Sequence, residues 1–317
     1  MNRRHVLGLA AGITAATTLG AVFLGARGQN MADPETARCN TPSLNFGFVR
    51  AYPDHKEVDV RFTCVGAELV GTLAIPPGPD PHPAAVWVHG SGESARLTYS
   101  GAPLVRELVQ EGVAVLSYDK RGVGESTGEC CPGDSGHFNL LAADAAGALQ
   151  AVAARPEIDR TRIGFIGASQ AGWVVPLAVA RGLRPVAFTA LVDAPAVSAG
   201  QERLYSRMTG EEGDRPSDES QSDIIRQVRA AGPSEFDPRP LLEAQRFPSL
   251  WLYGGEDRSQ PTTLDLEVLK RLRAANKGVK ALVFPEADHG LLDVPPSDPD
   301  ALPTFVRWIH RTVDAHS

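Results

Sequence analysis

The chain has 317 residues, 43% of them hydrophobic, with 38 acidic against 31 basic side chains and a formal charge of −7. Such a make-up supports a sizeable buried core and excludes general disorder. The acidic balance argues against a nucleic-acid binder, which carries a basic patch, and offers no attraction to an anionic membrane.

Asn2-Arg3-Arg4-His5 precedes residues 6–26, "VLGLAAGITAATTLGAVFLGA", and no charge follows until Arg27. A basic start and an apolar run read as an export signal over residues 1–32, with Arg3-Arg4 resembling a twin-arginine leader. The same run is long enough to cross a bilayer, so a retained anchor through residues 6–26 is the alternative. Residues 33–56, with Pro34 and Pro42, read as a lead-in to one domain over residues 57–317. Cys39, Cys64, Cys130 and Cys131 make an even count, which in an exported chain favours disulfides, with three pairings possible. No two-pair C-x-x-C arrangement is present, and neither a metal nor a cofactor is expected.

Residues 57–76 alternate as two antiparallel strands turning near Gly66. "AAVWVHGSG" is a continuous apolar run ending in glycines, and "GAPLVRELVQEG" has helical spacing. "VAVLSYDKRGVGES" supplies the next strand and a glycine loop, and "FNLLAADAAGALQAVAAR" a long helix. "RIGFIGASQAGWVV" runs from strand directly into helix at Ser169. Three further strand-like runs follow, "PVAFTALVDAP", "PSLWLYGGEDRS" and "KALVFPEADHG", with helices "TTLDLEVLKRLRAAN" and "LPTFVRWIHRTVDAH". This alternation predicts an α/β fold: a mostly parallel central sheet with helices on both faces. Residues 198–247 break the rhythm. They are polar, with helical pieces near 222–231 and 238–246, and read as a small helical lid.

In a parallel sheet the functional loops lie at the carboxyl ends of the strands. There the chain places Ser169, then Asp257 in "GGEDRS", then His289 in "EADHG". A serine hydroxyl needs a base to take its proton, a histidine can accept and return it, and a carboxylate fixes the imidazole. Glu256 is a competing carboxylate for the last role, whereas His89, Asp119, Arg121 and Asp144 read as structural.

With these segments, "VHGSG", "YDKRGVG", "G-x-S-x-x-G" and "DHG", the chain resembles the α/β-hydrolase superfamily over residues 57–314. It is most like bacterial serine esterases of prolyl-oligopeptidase-related style. The resemblance implies Ser169 as nucleophile, Asp257 as acid, His289 as base, and as oxyanion donors the backbone N–H groups of Gln170 and of Ser91, with Gly92 the alternative to Ser91. Ala171 departs from the usual G-x-S-x-G, and its methyl asks strand and helix to separate. The function expected is hydrolysis of a small carboxylic ester by an exported enzyme. Peptide, thioester or acyl-transfer chemistry on the same fold, and a non-catalytic secreted binding protein, are the alternatives.

Overall fold

The computed structural model describes residues 39, 42–131, 135–182, 184–211, 213 and 215–315. The proposed export segment lies outside them. Among the described residues no helix is long and apolar enough to cross a membrane.

Nine strands form one sheet in the order β1-β2-β3-β5-β4-β6-β7-β8-β9. The first three, β1 (Ser43–Ala51), β2 (Lys56–Cys64) and β3 (Ala67–Ile75), are antiparallel, and β3 also runs antiparallel to β5 (Ala114–Tyr118). From β5 onward the sheet is parallel through β4 (His82–Val88), β6 (Ile158–Ala168), β7 (Thr189–Val192), β8 (Ser249–Gly254) and β9 (Val279–Phe284). All seven residues of β4 are buried, as a strand covered on both faces requires.

The hairpin expected at Gly66 forms there, with Val65 and Gly66 both at positive φ (44° and 74°). The lead-in over residues 33–56 needs correction, because β1 occupies much of it. This outer strand is half exposed, has a register shift between Phe46 and Val49, and leaves Phe48 80% exposed.

Two apolar layers sandwich the sheet. Residues of α2 (Ser135–Ala153), α3 (Ala171–Arg181) and α7 (Thr262–Ala275) join one, and those of α1 (Pro103–Gln110) and α8 (Ala301–Asp314) the other. Strand β8 shows the division by its period of two: Trp251 and Tyr253 face the first layer, Leu250 and Leu252 the second. The stretch 198–247 contains three helices, α4 (Ala199–Thr209), α5 (Gln221–Ala231) and α6 (Arg239–Ala244). Helix α4 had no counterpart in the sequence reading. It starts at Ser198, whose hydroxyl accepts from the N–H of Gln201, and stops at Gly210 in the left-handed region. The sulfurs of Cys39 and Cys64 are in contact, as are those of Cys130 and Cys131.

Candidate active site

Strand β6 ends at Ala168 and helix α3 begins at Ala171, so the chain reverses over two residues. Ser169 makes that reversal at φ 51°, a conformation that is uncommon and strained for a side-chain-bearing residue. Its N–H donates to the carbonyl of Val192 and its carbonyl accepts from Gly172, which fixes the elbow at both ends. A Cβ on Gly167 would stand 2.6 Å from the Ala171 Cβ and 2.6 Å from the Val88 carbonyl. The Ala171 methyl is thus accommodated by the missing side chain at Gly167, without separating strand from helix. Gly172 is needed for another approach, since a Cβ there would lie 2.4 Å from the Pro195 carbonyl.

Asp257 follows β8 and His289 follows β9, and these strands are neighbours in the sheet. Their loops are pressed together, because a Cβ on Gly254 would lie 2.3 Å from the carbonyl of Asp288. His289 Nδ1 is 2.7 Å from Asp257 Oδ2. An ionised carboxylate only accepts, so Nδ1 carries the proton and the Nε2 lone pair is left to act as base. The other oxygen, Oδ1, accepts from the N–H groups of Ser259 and Gln260 at 2.7 and 2.8 Å. Burial pushes the His289 pKa down, but the hydrogen bond and charge of Asp257 outweigh it, with help from Asp193 and Glu202. The net pKa is raised to about 9. Glu256, the competing carboxylate, is exposed beside this pair. The 198–247 stretch reaches the same loop through Tyr205 of α4, whose hydroxyl donates to the Asp257 carbonyl at 2.9 Å.

Strand β7 separates β6 from β8, and the structure ties the acid–base pair to the sheet rather than to Ser169. Among the described residues the Ser169 hydroxyl makes no hydrogen bond, so the contact to His289 Nε2 is not formed. Such contacts commonly tighten only with substrate bound. On the other side of the elbow, Gly90 packs against Ser169, with room for a Cβ only at 3.4 Å. The N–H groups of Ser91 and Gln170 donate to no other described residue. Gln170 is only 5% exposed, so an N–H without a protein acceptor there is unusual.

Asp193 was passed over in the sequence. It follows β7 at φ 46° and is 3% exposed. Its carboxylate accepts from the N–H of Gly254 at 3.0 Å and of Leu291 at 3.3 Å, joining the loops that bear Asp257 and His289. Burial raises its pKa to about 7, with His289 acting the other way and Asp257 adding to the rise. One signal was available: like Ser169 and Asp257, it is a polar residue directly after an apolar strand-like run.

The residues read as structural have clear partners. His89 Nε2 meets the Tyr118 carbonyl at 2.6 Å, and burial lowers its pKa to about 4. Arg121 forms a buried pair with Asp144 at 2.5 Å, and Asp119 accepts from the N–H groups of Arg96 and Glu125. Trp173 packs in the core, its indole donating to the Val197 carbonyl. Among the described residues no group of three His, Cys, Asp or Glu is placed to hold a metal ion. A cavity of about 260 Å³, lined by Leu242, Ser249, Trp251 and Leu272, lies at the opposite end of β8 and includes none of the residues above.

The profile of the family described as "Serine aminopeptidase, S33" matches residues 79–211. The chain is 23% identical over 280 residues to the acylamino-acid-releasing enzyme of Rattus norvegicus, covering 85% of this chain and 37% of that protein. The Homo sapiens protein of the same name is 23% identical over 282 residues, covering 84% and 37%. The chain therefore spans little more than a third of the length of the curated relatives it matches. Among solved structures, acetyl xylan esterase 1 from Thermoanaerobacterium superposes with a TM-score of 0.59 at 19% identity, covering 87% of this chain and 91% of that one. An esterase from Pyrococcus furiosus gives 0.61 at 17% identity, covering 86% and 96%. Likeness at these identities is likeness of fold.

Proposed function

We propose that the chain is a serine hydrolase of the α/β-hydrolase fold and that it cleaves small carboxylic esters through an acyl-enzyme on Ser169. His289 Nε2 takes the hydroxyl proton as Ser169 Oγ attacks the ester carbonyl. The proton then passes to the departing alkoxide, which leaves as alcohol, and the acyl group stays on Oγ. A water, deprotonated by the same nitrogen, attacks the acyl-enzyme; the acid leaves and Ser169 regains its proton. Asp257 holds the imidazole in the required tautomer and offsets its positive form. The N–H groups of Gln170 and Ser91 receive the charge that develops on the carbonyl oxygen.

The observation that carries this reading is the 2.7 Å contact between His289 Nδ1 and Asp257 Oδ2, which leaves Nε2 as the base. Short acyl chains suit a lid that is polar and is pinned to the Asp257 loop by Tyr205. The acetyl xylan esterases among the structural neighbours point the same way. The S33 profile and the acylamino-acid-releasing relatives favour a second reading, cleavage of an acylated amino acid or peptide. Export through residues 1–32 is part of the proposal and rests on the arginine pair and apolar run alone.

Turnover of p-nitrophenyl esters from acetyl to octanoyl, beside N-acetyl-alanine p-nitroanilide, separates the readings. Highest kcat/KM on acetyl or propionyl ester is expected. Preference for the anilide would transfer the assignment to the peptidase reading.

A further inference from the structure

Lys120 is the least expected side chain near the elbow. It follows β5, is 1% exposed, and forms no ion pair with a carboxylate among the described residues. Burial lowers its pKa to about 8, so it is still protonated at neutral pH. A buried ammonium without a counter-ion is costly, and a methionine would fill the space without that cost. Its three partners are all neutral oxygens: the Gly90 carbonyl at 2.7 Å, the Gly92 carbonyl at 2.9 Å, and Gln170 Oε1 at 3.0 Å.

The choice of partners has a geometric consequence. In a trans peptide the C=O and the following N–H belong to one plane and point in opposite directions. Drawing the Gly90 carbonyl onto the ammonium therefore turns the Ser91 N–H away from it. That N–H donates to no other described residue. The third partner is the side chain of Gln170, whose own N–H is likewise unengaged. One cation thus grips the peptide unit of one donor and the residue that carries the other. Polarising the Gly90 carbonyl also strengthens the N–H on the same unit, since linked hydrogen bonds reinforce each other.

We infer that Lys120 is a positioning residue for the reaction, a charged clamp that orients both N–H donors of the oxyanion site. The inference rests on the ester-hydrolase reading of Ser169. Neighbouring contacts support the clamp along the same loop: the Lys120 N–H donates to the Ser94 carbonyl, and the Leu97 N–H to the Ser117 hydroxyl. Strand β5 thereby holds the loop after β4 at several points, and Lys120 is the only one of these contacts that also reaches Gln170.

The test is Lys120→Met, with kcat expressed per active serine after titration with paraoxon to completion. Loss of donor alignment lowers kcat by on the order of 100-fold, with KM on p-nitrophenyl acetate changed less than about threefold. Affinity for an alkyl trifluoromethyl ketone, whose adduct with serine bears the oxyanion, falls in parallel with kcat. A side chain that only supports the fold would reduce the number of titratable serines and leave kcat per site unchanged; that result overturns the inference. Should Lys120→Met not fold, Gln170→Leu removes one acceptor while keeping the N–H, and Lys120→Arg keeps charge with the wrong shape. Both should lower kcat and ketone affinity together, and unchanged values in both overturn the inference. Wild-type protein that fails to acylate Ser169 would instead refute the ester-hydrolase reading itself.

Discussion

Asp193→Asn separates the positioning of the acid–base pair from its chemistry. The carboxylate accepts one N–H with each oxygen, from Gly254 at 3.0 Å and from Leu291 at 3.3 Å. An asparagine has one acceptor, which should stay with the shorter contact, so its NH₂ group faces the N–H of Leu291. A buried donor without an acceptor costs about 1–3 kcal/mol, and this one stands two residues from His289. If about 1.4 kcal/mol of that is felt in the transition state, kcat/KM falls roughly tenfold. The charge is also lost, and Asp193 is one of the groups that raise the His289 pKa. The acidic limb of the kcat/KM profile should therefore move to lower pH. Stability offers an independent check of sign. Burial raises the folded-state pKa of Asp193 to about 7, well above the ordinary carboxylate value of 3.8. Between those values the folded chain keeps a proton that the unfolded chain releases, so stability falls as pH rises through this window. The variant lacks that loss, and its stability relative to wild type should improve from pH 4 to 7 in urea titrations. A variant whose rate profile and stability curve both superimpose on wild type would show that Asp193 does not position the pair.

Two further outcomes follow from buried charges. Arg121→Met leaves Asp144, whose pKa burial already raises to about 6, without its partner; urea unfolding at pH 7 should show a loss of roughly 3–5 kcal/mol. Adding Asp144→Leu should restore more than half of it, and a single variant within 1 kcal/mol of wild type would contradict the pairing's importance. For His289, the raised pKa means that the base is still largely protonated at neutral pH, so kcat/KM on a neutral ester should climb from pH 6 to 8 rather than level near 6.5. By the same shift, its contact with Asp257 contributes stability that is complete below about 6.5 and is lost as pH rises through about 9.

What could be read from the sequence was what local pattern encodes. The parallel strands are continuous apolar runs, and each ends in a residue whose chemistry is recognisable by type, so Ser169, Asp257 and His289 could be picked out and ordered. In the folded chain His289 Nδ1 lies 2.7 Å from Asp257 Oδ2. Strand β1 was hidden because it lies at the sheet edge, half exposed and out of register at its centre. Helix α4 was hidden because its sequence is polar and its start and stop depend on Ser198 and Gly210. Asp193 and Lys120 act through groups far away in the chain: backbone N–H groups 61 and 98 residues off for Asp193, and for Lys120 two carbonyls 28 and 30 residues off and the Gln170 side chain 50 residues off. No spacing within either motif announces such partners. The Ala171 departure was readable as a departure, but its remedy at Gly167 requires the three-dimensional contact.

The central claim is that Ser169 is an activated nucleophile. A fluorophosphonate probe applied to the folded protein, followed by peptide mass mapping, tests it directly. A single modified peptide carrying the adduct on Ser169 is expected, and none in Ser169→Ala of equal thermal stability. Folded wild-type protein that stays unlabelled, or that is labelled at another serine, would contradict it.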